Sequence, residues 1–213
     1  ADIVAADDRA MPTQYRFTDS EQHMALWFPI LTGLAAIIAH PHIDVRTMAL
    51  NAMFGLLRHH GLDFSPALWK VVFPGVLVPI FDPARYAGTE QSPEDTEWLN
   101  TTCLNACRSL VDLVRQYYRR ADFLLADLLR LLTGCILQGN EILAEIGTTS
   151  LLQFIVTASA SFQDADWQVV VSSIDHVTTA NGDALGNALL ELLGVTAPTD
   201  PEKASIAPSA AAR

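Results

Sequence analysis

Apolar residues recur every three to four positions through residues 22–194, and the strict alternation of a half-buried strand is almost absent. The pattern predicts an all-α chain. A first helix is expected from about Gln22 to Ala39, ending at His40-Pro41-His42, because proline cannot continue a helix and biases the residue before it away from helical geometry. A second begins near Asp44, whose carboxylate can cap or complement the open N–H groups, and stops at Gly61. Ser65-Pro66 opens a third, with Ser at the cap and Pro at the first helical position. Pro74 and Pro79 are expected to break that helix soon after it starts. Residues 82–97, with five acids, two prolines and a glycine, read as a solvated acidic loop. Helices then return, with boundaries near Arg119-Arg120, Gly139-Asn140, Gln163-Asp164 and Asn181-Gly182. This divides the chain into an N-terminal extension (1–21), a helical domain (22–194) and an Ala/Pro/Ser-rich tail (195–213) expected to be disordered.

An internal repeat is the most informative feature. Phe64-x4-Trp69 recurs as Phe162-x4-Trp167, an offset of 98 residues, and the same shift pairs Val45 with Leu143, Met48 with Ile146, Ala49 with Gly147, Met53 with Leu151 and Leu57 with Ile155. The register needs no gap. Each copy is an amphipathic helix, a short turn carrying Phe and a second helix with Trp near its start, and such a hairpin cannot bury its apolar side alone. Stacking solves that problem, and 98 residues correspond to about two repeats of the roughly 40–47 residues typical of HEAT and armadillo arrays. The expected fold is therefore an α-solenoid of HEAT/armadillo-like hairpins. Asp44-Val45-Arg46-Thr47-Met48-Ala49 also looks like the D-x-R-x-x-A start of the second helix of a HEAT repeat, with the acid serving the helix N-terminus and the small Ala49, or Gly147 in the second copy, allowing close helix approach. Asp44, Arg46, Phe64, Trp69, Phe162 and Trp167 are accordingly read as architectural.

Composition mainly excludes. Thirteen basic against twenty-four acidic residues leave a net charge of -11, which argues against nucleic acid, because backbone phosphates reward clustered Lys and Arg. Cys103, Cys107 and Cys135 are odd in number and lack C-x-x-C or zinc-site spacing, so they read as reduced, buried thiols with no metal. The apolar run from Met24 to Ala39 is sixteen residues long and contains Pro29, short of the roughly 20 that span a bilayer, and reads as core. No secretory signal is recognisable, and a chain starting at Ala1 with its first Met at Met11 is expected to be a piece of a longer protein. The sequence contains no G-x-S-x-G, G-x-x-x-x-G-K, H-E-x-x-H, EF-hand or G-x-G-x-x-G motif, so no catalytic residue and no cofactor is expected. The histidines at helix ends serve the helix dipole. The four tryptophans, Trp27, Trp69, Trp98 and Trp167, are expected in the core.

Charge distribution says more than the total. No Lys or Arg occurs between Arg130 and Lys203, while eight acids fall within 131–200, giving the last helices an acidic face suited to basic peptides or proteins. The one basic stripe is Arg108, Arg115 and Arg119, on one side of a helix with Arg120 beside them, a candidate surface for an acidic partner or lipid phosphates.

The chain resembles part of the region downstream of the catalytic domain in large trans-Golgi, brefeldin-A-inhibited guanine-nucleotide exchange factors for ADP-ribosylation factors. The segments that carry the resemblance are Trp27-Phe28-Pro29-Ile30-Leu31 with Gly33-Leu34, Val45-Arg46 through Ala49-Leu50, Phe54, Leu57, Gly61, Phe64, Trp69 and Phe73. Leu77-Val78-Pro79-Ile80-Phe81-Asp82, Trp98-Leu99, Ile146-Gly147, Leu152-Gln153-Phe154-Ile155 and Phe162-x4-Trp167 complete it, over roughly 22–180. The resemblance implies a non-catalytic regulatory helical-repeat module of a cytoplasmic protein peripheral to Golgi membranes. Its implied partners are a small GTPase of the ADP-ribosylation factor or a related family, the membrane, or the exchange domain of its own protein. A catalytically silent or stand-alone Golgi solenoid adaptor, binding through the acidic last third, is the alternative.

Overall fold

A computed structural model describes residues 21–82, 92–119 and 121–181. They form helices and short connections, with no strand among the described residues. The elements are α1 (Glu21–Ile38), α2 (Ile43–His60), α3 (Pro66–Val72), α4 (Pro93–Trp98), α5 (Leu104–Tyr117), α6 (Leu125–Ile136), α7 (Glu141–Ala158) and α8 (Asp164–Asn181). The class is all-α, as the periodicity predicts.

The repeat is written in the helix boundaries themselves. α2 and α7 begin at 43 and 141 and end at 60 and 158, α3 and α8 begin at 66 and 164, and α1 and α6 end at 38 and 136. Every one of these pairs is separated by 98 residues, the offset of the Phe-x4-Trp motif. α1 pairs with α2 and α6 with α7, while α5 lies between the two copies, against α2 on one side and α7 on the other. One row of helices is therefore α2, α5, α7. In the second row α6 packs against α8, and α1 against the turns that succeed α3. Leu57, Phe73, Leu110, Leu132, Leu143 and Phe154 lie in the single apolar core between the rows.

Local chemistry explains the boundaries. Ser65 caps α3, its Oγ accepting from the Leu68 N–H at 3.0 Å with Pro66 at the first helical position. Asn140 caps α7 in the same way, Oδ1 accepting from the Leu143 N–H at 3.0 Å. Gly61 ends α2 with ordinary right-handed geometry (φ -63°), so the usual left-handed helix stop does not account for it. Space does: a Cβ there would stand 2.7 Å from the Tyr117 ring and 2.9 Å from the Trp69 ring. Trp69 also donates its indole N–H to the Gly61 carbonyl at 3.2 Å.

Three expectations need correction. Pro74 and Pro79 distort the chain without stopping it: α3 runs on through a π turn (Phe73–Leu77) and a 3-10 turn (Val78–Phe81). Widening and then tightening the turn accommodates rings that lack an N–H and crowd the preceding carbonyls. The loop assigned to 82–97 is helical from Pro93 onward, because Ser92 and Asp95 form a reciprocal capping box around Pro93. α4 then passes through a second π turn (Leu99–Cys103) into α5. Finally, the Met24–Ala39 run is core on one side only. Leu31 and Ile38 are buried, whereas Leu26, Ile30 and Ile37 are exposed. The extension at 1–20 and the tail at 195–213 lie outside the described residues.

Candidate functional site

α5 is the most strongly amphipathic helix, with Ala106, Cys107, Leu110, Val111 and Val114 facing inward. Their spacing turns Arg108, Arg115 and Arg119 outward, and all three are exposed. Asp112 lies within the same stripe and pairs with Arg115 at 3.8 Å, both side chains about half exposed, so this long ion pair contributes little to stability and tempers the positive charge locally. Arg120 lies outside the described residues. Arg130, one turn into the next helix, is paired with Asp127 at 2.9 Å.

Arg46 has a different role, which its place in the D-x-R-x-x-A pattern indicated only in outline. The side chain is buried and bonded on every nitrogen. Nε donates to Thr102 Oγ1 at 2.9 Å, Nη1 to the carbonyls of His40 (3.2 Å) and Pro41 (2.7 Å), and Nη2 to Glu97 Oε2 at 3.2 Å. The planar fork thereby ties the α1–α2 turn to α4 and to the π turn that presents Thr102. Asp44 sits in the first turn of α2 and makes no side-chain cap, and the capping position belongs to His42. Asp44 complements the dipole only. The second copy has Ala144 where the first has Arg46, and relies on the buried Asn140 cap instead.

The Phe-x4-Trp pairs are equivalent in the two copies, with ring centroids 5.3 Å apart for Phe64–Trp69 and 5.2 Å for Phe162–Trp167. Trp69 is buried, and Trp27, Trp98 and Trp167 are half-buried at the margin of the core. Adjacent tyrosines at the end of α5 serve one copy each. Tyr117 packs on Trp69 at 6.0 Å and donates its hydroxyl to the Arg58 carbonyl, whereas Tyr118 packs on Phe162 at 5.2 Å. Burial raises both phenol pKa values, helped by the Asp63 charge at Tyr117 and by Asp166 and Asp122 at Tyr118. Asp166 is close enough to act on the Tyr118 hydroxyl, which nevertheless has no partner in good hydrogen-bond geometry.

Little else here supports chemistry. Cys103, Cys107 and Cys135 form no disulfide and are fully buried. The fold brings Cys135 of α6 to the α5 pair, a meeting invisible in the spacing. Contact with the Cys103 thiol, then with Cys135, and burial push the Cys107 thiol well above its ordinary range, away from thiolate reactivity. Among the described residues no group of three or more His, Cys, Asp or Glu is arranged to hold a metal ion. His59 bonds the Gly55 carbonyl and His60 stacks on Trp27, both structural uses at the end of α2. Among the described residues one segment, Glu141–Ser161, is long and apolar enough to cross a membrane by composition. It is α7, whose Leu143, Leu151, Phe154 and Ile155 are wholly buried among the other helices.

No family model matches the chain, and no solved structure matches it. Named relatives do. It is 33% identical over 177 residues, 78% of its length, to brefeldin A-inhibited guanine nucleotide-exchange protein 3 of Arabidopsis thaliana, and 33% identical over 184 residues, 84% of its length, to protein 1 of that name from Bos taurus. It is 32% identical over 164 residues to the ADP-ribosylation factor guanine nucleotide-exchange factor SEC7 of Saccharomyces cerevisiae. The chain spans only 10%, 10% and 8% of those relatives. With most of its own length aligned at this identity to relatives of one description, the chain belongs to the brefeldin A-inhibited guanine nucleotide-exchange protein family, as one helical segment of it.

Proposed function

We propose that this segment is a non-catalytic regulatory scaffold of an exchange factor for GTPases of the ADP-ribosylation factor type, acting at Golgi membranes. The observation that carries the reading is the combination of homology to about a tenth of several exchange proteins with an interior given over to helix packing. The titratable groups whose pKa departs from its ordinary value, Cys107, Tyr117 and Tyr118, serve that interior, and no set of them converges on a cleft as an acid–base pair would. Its contribution is then a surface. The exposed Arg108 and Arg115 on α5, with Arg119 in the turn that follows it, form the proposed contact for an acidic face of the GTPase, of the exchange domain or of the membrane.

The isolated chain is expected to leave the rate of GDP release from such a GTPase unchanged, and to retain the GTP-loaded form in preference to the GDP-loaded form in a pull-down. The double substitution R115E/R119E should abolish that retention. Equal retention of both nucleotide forms, unaffected by the substitution, rejects this surface. Salt-sensitive capture of basic peptides by residues 131–194 would instead favour the adaptor reading, and accelerated GDP release would reject the non-catalytic one.

A further inference from the structure

We propose that the groove between the end of α1, the 3-10 turn at Val78–Phe81 and α4 is a docking site for a basic peptide that carries one large apolar anchor side chain, a surface separate from the arginines of α5.

The groove follows from small side chains. Ala35 and Ala39 stop at Cβ, and the ring of Pro79 in the 3-10 turn is equally short, so these elements leave a cavity of about 230 Å³ between them. Ile38 and Ile80 form its buried floor, and the half-buried Trp98 at the end of α4 forms a wall. At 100° per residue, Ala35 and Ala39 lie roughly 140–180° round α1 from Leu26, Ile30 and Ile37, so the groove opens on the other side of the helix from the exposed apolar stripe. The second copy carries Leu137, packed against the core, where the first has Ala39. Small-molecule pockets usually hold roughly 300–1,000 Å³, so this volume suits one anchoring side chain instead.

Charge selects what carries the anchor. From 71 to 107 the described residues include the acids Asp82, Glu94, Asp95 and Glu97 and no Lys or Arg. Glu94 lies one turn before Trp98 on the same side of α4, and Asp82 lies three residues after Pro79, a spacing that eclipses side chains in a 3-10 turn. The groove thus has an apolar floor and acids along two edges. Arg46, behind α4, is engaged by Glu97, Thr102 and the α1–α2 turn, and His40 Nδ1 accepts from the His42 N–H. An apolar residue flanked by Lys or Arg complements this arrangement, whereas an anionic lipid surface is repelled by it.

Trp98 supplies the reporter. With 5-fluorotryptophan in place of the four tryptophans, the fluorine resonance of Trp98 is the one that W98F removes. The 213-residue chain is titrated with end-blocked Lys-Lys-Gly-Phe-Gly-Lys-Lys, with its Ala-centred version and with its Glu-flanked version. The expected result is a saturable shift of the Trp98 resonance with the first peptide and binding weaker by at least about tenfold with either of the others. A39L, which puts a leucine into the groove, and E94K, at an exposed position, should each weaken the first peptide at least about threefold without lowering the melting temperature. R115E/R119E should leave it unchanged, so failure of the α5 surface and failure of this groove are read separately. No saturable shift overturns the proposal. A shift indifferent to the central residue overturns it in favour of a merely acidic surface, and one indifferent to the flanking charge in favour of a cavity for neutral apolar molecules. Undiminished binding by a folded A39L overturns it as well; if A39L does not fold, undiminished binding by E94K does so. Binding that appears only when residues 83–91, outside the described residues, are replaced by Gly and Ser also overturns it and assigns the groove to the chain's own connection.

Discussion

Replacing Arg46 by Met removes the guanidinium while keeping most of the apolar stem, and so isolates the hydrogen bonds from the packing. Four contacts are lost, and their environments set the cost. Thr102 is 3% exposed, and its hydroxyl loses the Nε–H donor with no water at hand, worth about 1–3 kcal/mol. The carbonyls of His40 and Pro41 lie at an exposed turn where water replaces the donor, about 0.5 kcal/mol each. The Glu97 carboxylate is 53% exposed, so its ion pair with Arg46 adds at most about 1 kcal/mol. The total is roughly 2–5 kcal/mol, a fall of roughly 4–20 °C in melting temperature for a chain of this size, read by far-UV circular dichroism. E97Q tests the apportionment and should cost less than about 1 kcal/mol. R46K should behave nearly as R46M does, because a point charge cannot span bonds that leave a fork in four directions. A melting temperature for R46M within about 2 °C of the parent refutes the clamp, and an E97Q as damaging as R46M refutes the weighting given to Thr102.

G147A should lower stability by about 1–3 kcal/mol in urea titration, because the new Cβ would stand 2.9 Å from the Leu132 carbonyl oxygen of α6, whereas G33A, with nothing within 4 Å, should gain about 0.5–1 kcal/mol; equal effects would refute the close-approach reading. Y117F removes a donor to the Arg58 carbonyl and should cost about 0.5–1.5 kcal/mol, while Y118F removes a buried hydroxyl without a well-formed partner and should be neutral or stabilising; a loss at Y118F would identify Asp166 as a real acceptor. Cys107, Tyr117 and Tyr118 all titrate higher in the folded state, which therefore holds protons the unfolded chain releases. Their contribution is whole below about pH 8.5 and is lost as pH rises past the unfolded thiol and phenol values, near 8.5 and 10, so urea midpoints should fall through that range, and midpoints that rise there would contradict the direction of the shifts.

Helix identity was legible wherever a residue acts on its own neighbours. Ser65-Pro66 and Asn140 act through their own turn, and the boundaries they announce are the ones observed, whereas Gly61 marks the end of α2 for a reason, the nearby Tyr117 and Trp69 rings, that its own turn does not contain. The 98-residue register was equally plain, since it requires only that like positions do like work. The capping box at Ser92–Asp95 was readable too, but the acids around it suggested solvent more strongly than the S-x-x-D spacing suggested a helix start. Partners far apart in sequence were beyond reach. Arg46 meets Glu97 and Thr102 across 51 and 56 residues, and nothing in the spacing brings Cys135 to Cys107. The exposed Arg108, Arg115 and Arg119 were predictable from α5 periodicity, whereas the exposed side of α1 was not, because an apolar residue on an outer face and one in the core look alike in a sequence.

Tyr117 and Tyr118 are consecutive, so their side chains leave the helix about 100° apart, each wedged among the aromatic rings of a different copy. Any displacement of this end of α5 disturbs both aromatic clusters at once. The two halves therefore cannot loosen independently, and the described segment should melt as one unit and transmit twist from one end to the other as a torsion rod does.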